Sequence, residues 1–411
     1  MKSLEQSLDS ALIENIVTRT VDELTPRGLF NFNAPRQTLM GEGAILRIGG
    51  MLCHLDVSHV LVVADRVVHE KGLMQSMRRS LERAGIEFTI YPGITREPDE
   101  TVVATATELL TRNNTDFVLG FGGGSALDAA KAIALSASCQ SSLQQMAEPG
   151  FSGRRVIGLG AVPTTAGTGS EVTSVSVLTS AKQEKLAVYA PQLLPDIALL
   201  DAALTLGMPR KITAATALDA MVHAIEASTS RTRKNLISDG LADKALSLLG
   251  QNLPRVLDTP SDLAAREAML LGATLAGMAF INASVGSIHA LSYPLGSHFH
   301  VPHGHGNALV AAPVMRFNLV VAEAEYAHLA KVFLPNRTFA SNAEAANSLI
   351  SAMEEMFAAS GLETRLSQLG ISADAVPAMA REVTTGLTRL IANNPCDMSY
   401  DDVVSLYENV L

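Results

Sequence analysis

Asp219 and His223 stand four residues apart in ALDAMVHAIEAS, and His289 and His303 follow in SIHALSYPLGSHFHVPHGHGNA. In an Ala-, Met- and Ile-rich segment, that spacing puts the first pair on one face of a helix. His289 precedes a segment interrupted by Pro294, which reads as a loop, and His303 lies between Pro302 and Gly304. Three neutral imidazoles and one carboxylate suit a divalent first-row metal, iron(II) or zinc, and would make the chain a Lewis-acid catalyst. Taken alone, an Asp/His pair at this spacing is more often a hydrogen-bonded structural pair, and a His-rich loop reads equally as solvated surface. The combination points to a metal. Nothing in the spacing of His298, His300 and His305 demands ligation.

Two further stretches suit a nucleotide. GFGGGSALDAAK (120–131) places Gly122, Gly123, Gly124 and Ser125 at the start of a helix. There the unpaired amides and the helix dipole favour a pyrophosphate, and glycines allow close backbone approach. The loop follows the third strand of its region rather than the first, so it is not the standard dinucleotide fingerprint. RVIGLGAVPTTAGTGSEVT (155–173) offers Thr164, Thr165, Thr168 and Ser170 as donors to phosphate or to a nicotinamide amide; an ordinary polar turn is its plain alternative. Asp65, ending the first strand, is placed to accept from an adenosine ribose hydroxyl or simply to end that strand. A carboxylate there repels a 2′-phosphate and favours NAD over NADP, a preference that Arg66 moderates.

These residues need a scaffold, and the chain has two kinds. Over about 40–208, short β-branched runs (57–65, 88–94, 115–124) alternate with helical stretches (73–85, 98–113, 125–138), which implies a parallel sheet with right-handed crossovers. From Pro209 onward Ala, Leu and Met recur at helical spacing in 212–228, 236–250, 262–283, 340–358 and 374–392. We therefore expect an α/β domain with a parallel sheet over 31–208 and an all-α domain over 209–411, with the site in a cleft between them. A separate extension, 1–30, carries Leu4, Leu8, Leu12, Ile13, Ile16 and Val17 on one helical stripe, suited to packing within the subunit or to docking on a partner.

Composition narrows the partners. The 411 residues are 47% hydrophobic and 18% charged with a net charge of −10, and no Lys/Arg run occurs, which argues against nucleic acid and anionic membrane surfaces. No apolar run reads as long enough to span a bilayer. Cys53, Cys139 and Cys396 are scattered without a CxxC pair, as expected in a reducing cytoplasm.

Over residues 30–411 the chain resembles the iron-containing (group III) alcohol dehydrogenases. The resemblance rests on GGGSALDAAK, AVPTTAGTGSEVT, LLPDIALLD, TALDAMVHAIEAS and HALSYPLGSHFHVPHGHGNA, in that order. It implies a Rossmann-like N-terminal domain and a helical C-terminal domain in a dehydroquinate synthase-like architecture, a homodimer or larger assembly, and metal held by Asp219, His223, His289 and His303. It also implies NAD(H) contacts near Asp65, Gly123, Gly124, Ser125, Asp128, Thr164, Thr165, Thr168 and Lys185. Many members of the family carry a histidine where this chain has Tyr293, so Tyr293 and His303 become the candidates for catalytic roles. The Ser-Tyr-Pro element looks like that of branches acting on hydroxy acids, including hydroxyacid–oxoacid transhydrogenases. A second departure is Cys396, where many relatives have arginine.

The expected activity is hydride transfer between a nicotinamide and a primary alcohol or hydroxy acid, with its aldehyde, semialdehyde or ketone on the other side. The alternatives are a transhydrogenase that keeps its NAD bound, and a non-catalytic protein binding NAD and metal. A cyclising lyase resembling dehydroquinate synthase needs a basic cluster, and 289–316 supplies only Arg316.

Overall fold

The computed structural model describes residues 30–411 apart from 95–97, 149 and 181–184. The apolar stripe of residues 3–21 lies outside the described residues, and so does the Lys185 side chain. Asn33–Leu411 form one compact unit.

Six strands make a wholly parallel sheet: β1 (Gln37–Met40), β2 (His59–Asp65), β3 (Glu87–Ile94), β4 (Phe117–Gly122), β5 (Gly158–Pro163) and β8 (Ile197–Leu200), in the order β1-β8-β5-β4-β2-β3. A two-stranded antiparallel hairpin, β6 (Val175–Thr179) with β7 (Lys185–Tyr189), stands outside it. The residues of β2 alternate between cores: Val60, Val62 and Ala64 enter the cluster on one face, and Leu61 and Val63 the cluster on the other. Burial on both faces explains why this strand reads as a continuous apolar run. The chain runs outward from β2 to β3 and returns to build β4, β5 and β8 on the other side, so the order reverses between β2 and β4. In open α/β sheets, ligands bind outside the carboxyl ends of strands at such a reversal. Here those ends are Asp65 and the glycine loop 122–124.

Helices α1 (Ile48–Cys53), α2 (Arg66–Glu70), α3 (Gln75–Arg83), α4 (Glu100–Arg112), α5 (Gly124–Cys139) and α6 (Leu143–Ala147) connect the strands. After residue 209 the described chain is helical: α7 (Arg210–Ser228), α8 (Leu236–Asp258), α9 (Leu263–Ala283), α10 (Ser287–Phe299), α11 (His303–Phe333), α12 (Asn342–Ala359), α13 (Val376–Gly386), α14 (Thr388–Asn393) and α15 (Tyr400–Glu408). Their facing sides form the largest core, in which Ala214, Ala217, Ala220 and Ala224 of α7 have no exposed surface.

Two sequence expectations need correction. The segment after His289 is not a loop: α10 continues through Pro294. Proline removes one hydrogen bond of the helical ladder, but buried packing of Ala290, Leu291 and Leu295 holds the turn together, and the Tyr407 hydroxyl donates to the Leu291 carbonyl at 2.6 Å. The absence of a run long enough to span a bilayer also fails on length, because α9 has 21 residues and its apolar window reaches a mean hydropathy of 1.3. Ala265, Met269, Leu270, Ala273 and Ala276 of this helix are buried in the helical core.

Candidate metal centre and cofactor loops

Asp219 and His223 project from the same face of α7, His289 from the second position after the start residue of α10, and His303 from the first residue of α11. Their potential ligand atoms all lie within 4.8 Å of one another. Asp219 Oδ1 is 3.8, 4.0 and 3.6 Å from Nε2 of His223, His289 and His303. The close approach of α11 to α7 needs Gly304, since a Cβ there would lie 2.2 Å from the Ala215 carbonyl oxygen. The side chains of Asp219, His223 and His289 are at most 5% exposed, whereas that of His303 is 44% exposed. The centre therefore opens to solvent on the His303 side.

Two residues that the sequence reading missed orient this set. Glu226 Oε2 takes a 2.6 Å hydrogen bond from His289 Nδ1, and its other oxygen accepts from the Ile288 amide. With the proton on Nδ1, the His289 Nε2 lone pair faces the centre. Asn307 Nδ2 donates to Asp219 Oδ1 at 2.7 Å and lies 3.2 and 3.3 Å from Nε2 of His289 and His303. Its amide oxygen is buried without a partner. A polar N–H at the focus of a carboxylate and two imidazole nitrogens marks a position that favours positive charge. Burial is the largest influence on His223 and drives its pKa down to about 3, beyond what the Asp219 charge restores, so the ring is neutral and has a lone pair to give. Burial alone would raise Asp219, but His223, His303 and His289 with the Asn307 amide hold it below its usual value, as a carboxylate. An ionised carboxylate beside a neutral imidazole is donor chemistry that suits a divalent cation.

The other clustered histidines sit elsewhere. His298 Nε2 pairs with Glu382 at 2.6 Å on the surface, His305 Nε2 bonds the Glu363 carbonyl, and His300 ends α10 at a φ of 55°. Tyr293 is half-buried on α10, its ring 5.8 Å from that of His303. Burial raises its phenol well above the usual range, with further upward influence from Tyr189, Asp219 and Glu226 and an opposing one from Arg389.

At the sheet, Gly123 N–H donates to Asp65 Oδ2 at 2.8 Å, and a Cβ at Gly122 would lie 2.2 Å from that oxygen. Burial raises the Asp65 pKa, and the Gly123 amide partly offsets it. Gly123, at the N-cap of α5, brings no side chain of its own to the first turn of that helix. The loop after β5 lies alongside: Thr164 N–H donates to the Gly122 carbonyl, Thr165 flanks Gly123, and Thr168 sits against Gly124. On its far side Gly167 abuts Thr216 of α7, and its backbone bears on His223. One loop thus touches both the glycine turn and the Asp/His set. Ser170 and Asp128 bind each other at 2.5 Å, and Asp128 also accepts from the Val177 amide, so these side chains tie the loop and the β6–β7 hairpin to α5. Lys185 opens β7.

A parallel sheet whose strand ends meet a metal-suited cluster through one shared loop is an arrangement suited to an enzyme that uses a nucleotide and a metal together. Residues 35–202 match the family described as iron-containing alcohol dehydrogenase, and residues 213–411 match the C-terminal part of the Fe-containing alcohol dehydrogenase family. The chain belongs to the iron-containing alcohol dehydrogenase family. It is 36% identical over 406 residues to the probable alcohol dehydrogenase EutG of Escherichia coli K12, covering 98% of this chain and 99% of the relative. It is 30% identical over 382 residues to the NAD-dependent methanol dehydrogenase of Bacillus methanolicus, covering 93% of this chain and all of that one. The crystal structure of a 1,3-propanediol oxidoreductase superposes with a TM-score of 0.89 at 31% identity, covering 93% of this chain and 100% of that one.

Proposed function

We propose that this chain is a metal-dependent NAD(H) oxidoreductase that interconverts a primary alcohol or hydroxy acid with its aldehyde, semialdehyde or ketone. The observation that carries this reading is the convergence of Asp219, His223, His289 and His303 within 4.8 Å, beside a loop that also borders the glycine turn. These four residues would hold iron(II) or zinc, which supplies Lewis-acid polarisation of a substrate oxygen when bound. Asp219 offsets part of the cation's charge, Glu226 fixes the His289 tautomer, and Asn307 steadies the Asp219 carboxylate.

The amide turn Gly122, Gly123, Gly124 and Ser125 receives the pyrophosphate, and Thr164, Thr165 and Thr168 border the nicotinamide half. Asp65 keeps Oδ2 on Gly123 and offers Oδ1 to the ribose, which disfavours a 2′-phosphate. Asp128 and Ser170 serve the cofactor indirectly by fixing the loop, and Lys185 is assigned to the same side from its place on β7. Residues 31–208 thus form the NAD-binding part and 209–411 the metal-binding part. His303, on the open side of the centre, borders the reacting carbon. Tyr293 acts beside it as a neutral hydroxyl that shapes the pocket and passes hydrogen bonds, because burial keeps its phenol from ionising. The NAD dependence of the methanol dehydrogenase relative supports the cofactor assignment.

The replacement of histidine by Tyr293 favours one second reading, a hydroxyacid–oxoacid transhydrogenase, which would turn over without added cofactor. We place the enzyme in the cytoplasm as a homodimer or larger homo-oligomer. Free thiols at Cys53, Cys139 and Cys396 and the exposed Leu236 and Val320 support this.

The test is NADH consumption by anaerobically purified, iron(II)-loaded protein over short aldehydes, semialdehydes and oxoacids, with a zinc-loaded control. We expect metal-dependent consumption. His289→Ala should lose metal and turnover while retaining NADH binding, measured by fluorescence; wild-type turnover in that variant would overturn the assignment.

A further inference from the structure

Helix α14 packs against α10, the helix that carries His289 and Tyr293. From α14, the exposed Arg389 lays its guanidinium 4.0 Å above the ring of Tyr189, the last residue of β7. Tyr189 is 46% exposed. A cation stacked on an aromatic face is held in place at little cost to its hydrogen bonding, since the donors of the planar fork point outward from the stack. Among the described residues, Arg389 makes no hydrogen bond and no ion pair, so that donor edge is available. Its charge reaches the Tyr293 hydroxyl, as does the Tyr189 phenol. The Tyr293 ring in turn lies 5.8 Å from that of His303, on the side where the Asp/His centre opens to solvent. Arg389 therefore brings a positive charge with no ion-pair partner among the described residues to the neighbourhood of Tyr293, the residue whose ring neighbours that of His303.

We infer that Arg389, stacked on Tyr189, binds an anionic group at the far end of the substrate and selects short hydroxy acids and acid semialdehydes over neutral alcohols and aldehydes. This rests on the proposal above that the reacting oxygen sits at the Asp219–His223–His289–His303 centre. A guanidinium fork suits a carboxylate through two parallel hydrogen bonds. The planar stack on Tyr189 fixes the direction in which that fork points, so it rewards a substrate of matched length. A neutral aldehyde gains nothing from it.

The experiment compares succinic semialdehyde with butanal as substrates for the iron-loaded holoenzyme. The wild type should prefer the acid, and Arg389→Gln should lower the ratio of kcat/KM for the acid to that for butanal by about tenfold to a hundredfold, as expected for one lost charge-assisted contact. Arg389→Lys should recover part of the ratio, since it keeps the charge and loses the fork. An unchanged ratio in Arg389→Gln overturns the anchor and leaves the oxidoreductase assignment standing. Binding of succinate, an unreactive probe, to the iron–NADH complex by calorimetry gives an answer independent of turnover. Equal affinity in wild type and Arg389→Gln overturns the proposal, and a tenfold or greater loss supports it. Absence of any NADH consumption with iron bound strikes instead at the oxidoreductase reading.

Discussion

Glu226 accepts at once from the His289 ring and from the Ile288 backbone, so it fixes both the tautomer and the tilt of one proposed ligand. Glu226→Gln should therefore weaken iron(II) or zinc binding about 10–100-fold, read by competition with a chelator, without altering NADH binding. Unchanged metal affinity would reduce Glu226 to a packing residue. At the other side of the site, Asp65→Gly removes the carboxylate that meets the Gly123 amide and should shift the NADP/NAD ratio of kcat/KM toward NADP; an unchanged ratio would take Asp65 out of cofactor selection. Asp219 and His223 were legible because their spacing obeys the helical rule within one segment. Glu226 and Asn307 obey the same rule, three residues after His223 and four after His303, yet they read as ordinary helical polar residues. Their meaning lies in partners up to 88 positions away, which no local period reports.

Among the elements, β2, β3 and β4 with α3, α4 and α5 were legible, because β2 is buried on both faces and the helices alternate with these strands, whereas β1 and β8, four residues each, are too short to show a period. The helical part was read less well where proline interrupts it. Pro294 suggested a loop, but α10 is held by tertiary packing that outweighs local propensity. The His- and Gly-rich start of α11 likewise hid a helical run that continues to Phe333 across a kink at Ala322. The β6–β7 hairpin depends on a buried charge. Lys131 of α5, 1% exposed, donates to Thr173 Oγ1 and the Val175 carbonyl, with Asp128 3.6 Å away. Burial lowers its pKa to about 8 against the opposing pull of Asp128 and Glu171. Between that value and the ordinary lysine value of 10.5, the unfolded chain binds more protons than the folded one, so this group makes stability rise with pH across the window. Lys131→Met lacks that slope. Urea unfolding at pH 8 and pH 10 should show wild-type stability gaining on that of the variant, and parallel behaviour would contradict the burial of this charge.

At the scale of the whole molecule, the loop that touches both the glycine turn and the Asp/His set meets α9 on bare backbone. A Cβ on Gly169 would lie 2.5 Å from the Gly277 Cα, and one on Gly277 would lie 2.7 Å from the Gly169 Cα. Gly169 also holds a φ of 62°, where a side chain is strained regardless of space. Gly277→Ala tests the contact without that backbone penalty. It should retain metal and NADH binding yet lose about a hundredfold in kcat, the scale expected when reacting atoms shift by about 1 Å. Wild-type kcat in a folded variant would show that the loop adjusts freely. The two family matches cover residues 35–202 and 213–411, so Gly169 lies in the first and Gly277 in the second. Neither matched segment by itself contains the spacing between these two residues. Two absent methyl groups act as a gauge block for the loop that borders both the glycine turn and the Asp/His set, so a single carbon atom inserted there should detune a reaction carried out between them while leaving every proposed ligand in place.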